Sequence, residues 1–169
     1  MGGALLLEFE HLIQINDPKQ LHSPVLSRED LWAGLVMRAK FPEQFNPAIS
    51  SRLEQISDNH FIRYIAVADT ELRDAVRLQH LQEISTRIEV SETEKVNGKQ
   101  PRFQAESLTR IEEPEPGYLF VRFMYRRDSA NELGGMDVDE YLKSAYVVND
   151  RDAIAMIRQL IAAGWPEPN

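Results

Sequence analysis

Between Leu7 and Asn16 the chain alternates, with Leu7, Phe9, Ile13 and Ile15 on one side and Glu8, Glu10, Gln14 and Asn16 on the other. A period of two predicts a half-buried strand, with His11 on its apolar side. Asp17-Pro18 ends the pattern, and the stretch through Pro24 reads as loop. Ser27, with Asp30 three residues on, has the form of a capping box, and Leu31, Leu35, Val36 and Ala39 supply a helical stripe behind it. Pro42 interrupts that helix, and Phe41 to Phe45 predicts one further short turn before Pro47.

From Ile49 the period returns to two, predicting strands near 49–57, 60–68, 71–80, 83–91, 102–112 and 118–126. Turn chemistry at Asp58-Asn59, Asp69-Thr70, Asn97-Gly98 and Pro116-Gly117 joins them, and connections this short force antiparallel neighbours. Ser129 to Met136, with Gly134 and Gly135, reads as a flexible loop. Asp137 and Glu140 then open a last helix that Gly164 and Pro166 close, roughly 40 Å long at 1.5 Å per residue. Its stripe gathers Val138, Leu142, Ala145, Tyr146, Ala153, Met156 and Leu160. One strand, a short helix, six strands and a long helix predict an α+β domain of one layer each: a seven-stranded antiparallel sheet curled around the C-terminal helix, with a hollow between them. The 169 residues are one domain by length, with a core spanning about 8–164.

Composition narrows the partners. A net charge of −8 disfavours both a nucleic-acid backbone, which needs clustered Lys and Arg, and an anionic membrane surface. With no cysteine there is no disulfide, thiolate nucleophile or Cys-bearing zinc site, which suits a cytoplasmic protein. The apolar run Ala4 to Leu7 is too short for a signal peptide, and no window approaches the ~20 apolar residues of a membrane span. Histidines at 11, 22, 60 and 80 have no ligand spacing, so no metal is expected, and no motif calls for a cofactor.

Three stretches are more specific than their periodicity. Phe9-Glu10-His11-Leu12-Ile13-Gln14-Ile15-Asn16-Asp17, Leu31-Trp32-Ala33-Gly34-Leu35-Val36-Met37-Arg38-Ala39, and Ile111-Glu112-Glu113-Pro114-Glu115-Pro116-Gly117-Tyr118-Leu119-Phe120-Val121-Arg122-Phe123 resemble the AtaL-like family. That family belongs to the START-like, polyketide-cyclase-related (SRPBCC) superfamily. The resemblance runs from about Glu8 to Ile161 and implies a helix-grip fold around an apolar cavity; it implies no catalytic motif.

If the hollow is the functional part, the informative residues are polar ones whose phase turns them inward. Asp74 sits among Leu72, Val76 and Leu78, where an unpaired charge is costly. Pairing across Asp69-Thr70 is expected to set Val67 against Leu72 and Ile65 against Asp74, leaving Arg63 one diagonal step away. The resulting ion pair either neutralises two semi-buried charges or orients a ligand. His11 is either hydrogen-bonded in place or an acid–base group. Tyr125 ends the inward series Leu119, Val121, Phe123, and its phenol serves a ligand or reaches water at the rim. Asn149, near the centre of the last helix's stripe, meets a ligand or a buried water. Phe9, Ile13, Val76, Val121, Phe123 and Met156 complete the expected lining.

These readings favour binding or carriage of a small, largely apolar molecule. The rival is a cyclase, hydrolase or dehydratase acting on a polyketide-like intermediate, with His11, Asp74 or Tyr125 moving a proton. A third is a homodimeric interaction module that protects the sheet's open edges.

Overall fold

The structure is a computed structural model that describes residues 6–88, 104–129, 131 and 137–166. Among them the order is β1 (Leu6–Asn16), α1 (Arg28–Lys40), a 3-10 turn (Pro42–Gln44), β2 (Ile49–Ser57), β3 (His60–Val67), β4 (Thr70–Gln79), β5 (Glu83–Ile88), β6 (Ala105–Glu115), β7 (Tyr118–Asp128) and α2 (Val138–Ala162). The strands form one antiparallel sheet in the order β1-β7-β6-β5-β4-β3-β2. β2 to β7 are a meander, and β1 closes onto its last strand. No helix among the described residues is long and apolar enough to cross a membrane.

The caps are those the sequence predicts. The Ser27 hydroxyl accepts from the Asp30 amide at 3.0 Å, and the Asp137 carboxylate accepts from the Glu140 amide at 3.2 Å, each satisfying an orphan donor of a first turn. Pairing of β6 with β7 runs on to Glu115 and Tyr118, beyond the expected end at 112. Gly117, at φ 88°, takes the left-handed conformation of the tight turn, and a bulge between Glu112 and Glu115 absorbs Pro114, which has no amide to donate. The Asn97-Gly98 turn, the expected ends of strands at 91 and 102, and most of the Ser129–Met136 loop lie outside the described residues.

The β3–β4 register differs from expectation by two residues: Val67 pairs with Thr70, Ile65 with Leu72 and Arg63 with Asp74. Ala68 and Asp69 alone make the turn, with Ala68 in the left-handed region at φ 53°. A slip of two keeps every side chain on its face, so Arg63 and Asp74 become direct neighbours rather than diagonal ones.

The core joins three layers at one end of the molecule. Leu31, Trp32 and Leu35 of α1 and Ile154 and Ile157 of α2 meet Phe61, Val76, Ile84, Ile111, Val121 and Phe123 from the sheet's inner face. α1 and α2 approach so closely that a Cβ on Gly34 would lie 2.6 Å from Ile157 Cγ2. On α2 the buried residues are Asp150, Ala153, Ile154 and Ile157. Asn149 is exposed, which corrects its expected place near the stripe's centre, and Met156 is half-buried. Buried spacings of three and four from Asp150 set the stripe one residue further along.

Candidate functional site

Asp150 is fully buried, and three side chains from three other elements converge on its carboxylate. From β1, His11 Nε2 lies 2.7 Å from Oδ2. From β7, the Tyr125 hydroxyl donates to the same oxygen at 2.5 Å. From α1, Arg38 Nη1 stands 2.8 Å from Oδ1 at ion-pair distance, but without hydrogen-bond alignment, so that oxygen has charge compensation and no aligned donor. Burial of this carboxylate is tolerable because a guanidinium and two donors face it.

The two rings are held by aromatic neighbours. The His11 imidazole stacks between Phe9 (centroids 5.7 Å apart) and Phe123 (5.1 Å), and Tyr125 lies parallel to Tyr146 of α2 at 3.9 Å. Strand pairing accounts for the grouping, since Phe9 is opposite Tyr125 and His11 opposite Phe123. A carboxylate paired with Arg38 only accepts, so His11 presents Nε2–H to it, and in the neutral ring the lone pair is on Nδ1. Burial pushes the Tyr125 phenol far above its ordinary range, and the negative charge and hydrogen bond of Asp150 push the same way. Tyr125 is therefore a hydrogen-bond donor and not a phenolate.

A row of inward positions runs across six strands: Phe61, Val76, Thr86, Ser107, Tyr125 and Phe9. Phe61 and Val76 are fully buried, whereas Thr86, Ser107, Tyr125 and Phe9 are half-buried. Thr86 and Ser107 stand on central strands and face α2, yet solvent reaches them. Their hydroxyls hydrogen-bond each other at 2.6 Å. The inner face is thus solidly packed at the α1 end and open along β5 and β6 beside the Asp150 cluster.

Arg63 and Asp74 form a separate fork. Nε reaches Oδ1 at 2.8 Å and Nη2 reaches Oδ2 at 2.5 Å, while Nη1 donates to the Ala39 carbonyl at 3.0 Å. The pair ties the β3–β4 hairpin to the C-terminal end of α1, where unsatisfied carbonyls favour a cation.

Of the sequence-derived candidates, His11, Phe9, Phe123 and Tyr125 come together, and Arg63 and Asp74 pair apart from them. Ile13 is half-buried on the same face, and Val76 and Val121 sit fully inside the packed core. Asn149 points away from the site that its neighbour Asp150 organises. Arg38, Asp150, Thr86 and Ser107 were not singled out in the sequence. Opposite phase places Glu8, Glu10, Arg77, Arg87, Glu106 and Arg126 on the outer face; they border a groove of about 950 Å³ whose lining also includes Phe9, Thr86, Ser107 and Tyr125. Arg126 pairs with Glu8 and Glu106, and Arg87 with Glu106, so most of its charges satisfy each other.

Comparison with known proteins agrees with this architecture. A family model described as "AtaL: Acetylaranotin biosynthesis cluster protein L" matches residues 13–164, and no curated protein matches the chain. Among solved structures, the di-domain aromatase/cyclase BexL from the BE-7585A biosynthetic pathway is 14% identical with a TM-score of 0.63, covering 92% of this chain and 50% of its own. The chain thus spans half the length of that two-domain protein. The Zhui aromatase/cyclase from Streptomyces sp. R1128 is 12% identical with a TM-score of 0.63, covering 95% of this chain and 99% of its own. Human STARD10 is 8% identical, again at 0.63, covering 95% and 66%. At such identities the likeness is one of fold: a helix-grip, START-like sheet around a long C-terminal helix.

Proposed function

Since the chain belongs to the family of acetylaranotin biosynthesis cluster protein L, we propose that it binds a small, largely apolar molecule between the inner face of the sheet and α2, its oxygen-bearing end meeting the Asp150 cluster. The observation that carries this reading is the uneven inner face. Thr86 and Ser107, central and inward-facing, are reached by solvent, while Phe61, Val76, Val121 and Ile157 one layer away are sealed. A concave apolar wall with few converging polar groups is the usual make-up of a small-molecule site, and burial there contributes roughly 25 cal/mol per Å² of apolar area. Tyr125, Thr86 and Ser107 offer hydroxyls, and Arg38 offers N–H groups, so an oxygen-bearing molecule is matched better than a pure hydrocarbon.

A fluorescent apolar probe, 8-anilinonaphthalene-1-sulfonate, is expected to bind the folded protein at one saturable site. Ser107→Trp should abolish that binding while leaving the circular dichroism spectrum intact, because the added ring enters the open part of the inner face. Val121→Trp instead overpacks a sealed position and should lower stability. Unchanged probe binding in Ser107→Trp would reject the location.

A further inference from the structure

We propose that His11 is a proton-transfer site for a ketone whose α-carbon carries a hydrogen, making the protein an enolising catalyst for a largely apolar carbonyl compound. The inference rests on the binding reading above and goes beyond it. Its basis is the two unlike ends of one imidazole. Nε2 is fixed 2.7 Å from the buried carboxylate of Asp150, and the ring stacks near-parallel to both Phe9 and Phe123. Nδ1 has no hydrogen-bond partner among the described residues and is not a sealed atom. In its neutral form, such a ring holds an unspent lone pair on Nδ1, which is what a general base needs.

A second observation concerns the oxygen of the substrate. Arg38 is about a quarter exposed at its side chain, 26%, and among the described residues it meets Asp150 at ion-pair distance without an aligned hydrogen bond. Its N–H groups are therefore available to an oxygen that gains negative charge.

In the step, the C–H bond beside the carbonyl breaks and its proton goes to His11 Nδ1. The bonding pair becomes the carbon–carbon double bond of the enolate, and the carbonyl π pair moves onto oxygen. The imidazolium is neutralised by Asp150 through Nε2–H, and the enolate oxygen is met by Arg38. The proton then returns to the same carbon, or to the far end of a conjugated system, and no co-reactant is consumed. His11 is the residue that touches substrate; Asp150 is a positioning residue.

The test uses 2-tetralone in D₂O, following loss of its benzylic C1 proton signal by NMR, with binding read separately by saturation transfer from the protein. Exchange is expected at least about 100-fold above buffer, near buffer in His11→Gln and His11→Phe, and several-fold reduced in Asp150→Asn with tetralone still bound. His11→Phe keeps the aromatic stack if His11→Gln fails to fold. His22→Gln, at an exposed loop position, should exchange like the unaltered protein. Binding without exchange, or exchange that persists in a folded His11 variant, overturns the inference and leaves the binding reading intact. Failure of both tetralone and the fluorescent probe to bind overturns the two together.

Discussion

Removing the Asp150 carboxylate leaves three polar groups without their partner at once. Asp150→Ala is expected to cost about 3–5 kcal/mol in urea unfolding, because Arg38, His11 and Tyr125 would face a void. Asp150→Asn should cost less, since an amide oxygen still accepts. Tyr125 supplies a pH signature. Folding raises the phenol's pKa, so its stabilising share is fully present below about pH 10, the unfolded phenol's value, and is lost as pH rises beyond it. Tyr125→Phe should flatten the alkaline fall in stability, and absorbance at 295 nm should show a phenol that ionises only on unfolding. Period two alone puts His11 and Tyr125 on the inner face. Asp150 escapes such reading because a carboxylate on a helical stripe looks, residue by residue, like the stripe's edge; only its partners on β1, β7 and α1 explain its burial.

Between elements, the contact of α1 with α2 is set by an absent side chain. Gly34 is costly within a helix, but a Cβ there would meet Ile157 Cγ2, Cγ1 and Cδ1 at 2.6, 2.7 and 2.9 Å. Gly34→Ala should therefore destabilise by about 1–3 kcal/mol despite its better helix propensity, and Ile157→Ala should recover less than additively beside it. Calorimetry of the single and double variants checks both signs. The hairpin of β3 and β4 gives a parallel case. Asp74→Ala should cost about 3–5 kcal/mol, and adding Arg63→Met should restore part of it, since the second change removes a stranded charge. Strands, caps and the face of this pair were legible because each follows from local period and turn chemistry. The register was not, since a turn of two residues and one of four differ only by whether Ala68 accepts a positive φ.

At the scale of the whole molecule, the division between a sealed end and an open end predicts where ligand binding will be felt. A ligand that binds only the folded state raises stability by RT ln(1 + [L]/Kd), about 2.7 kcal/mol at one hundred times Kd. Sealed segments around Val121, Phe123, Ile154 and Ile157 exchange their amide hydrogens only through global unfolding, so they gain that increment and nothing more. Amides of 86–88 and 105–109, whose inner side chains are half-buried, exchange through smaller local openings that a bound molecule would hold shut. Hydrogen-exchange mass spectrometry with saturating 8-anilinonaphthalene-1-sulfonate should show extra protection in β5 and the first half of β6. β2 lies at the far edge of the sheet and should stay unchanged. Extra protection in β2 with none in β5 and β6 would place the bound molecule away from the open part of the inner face.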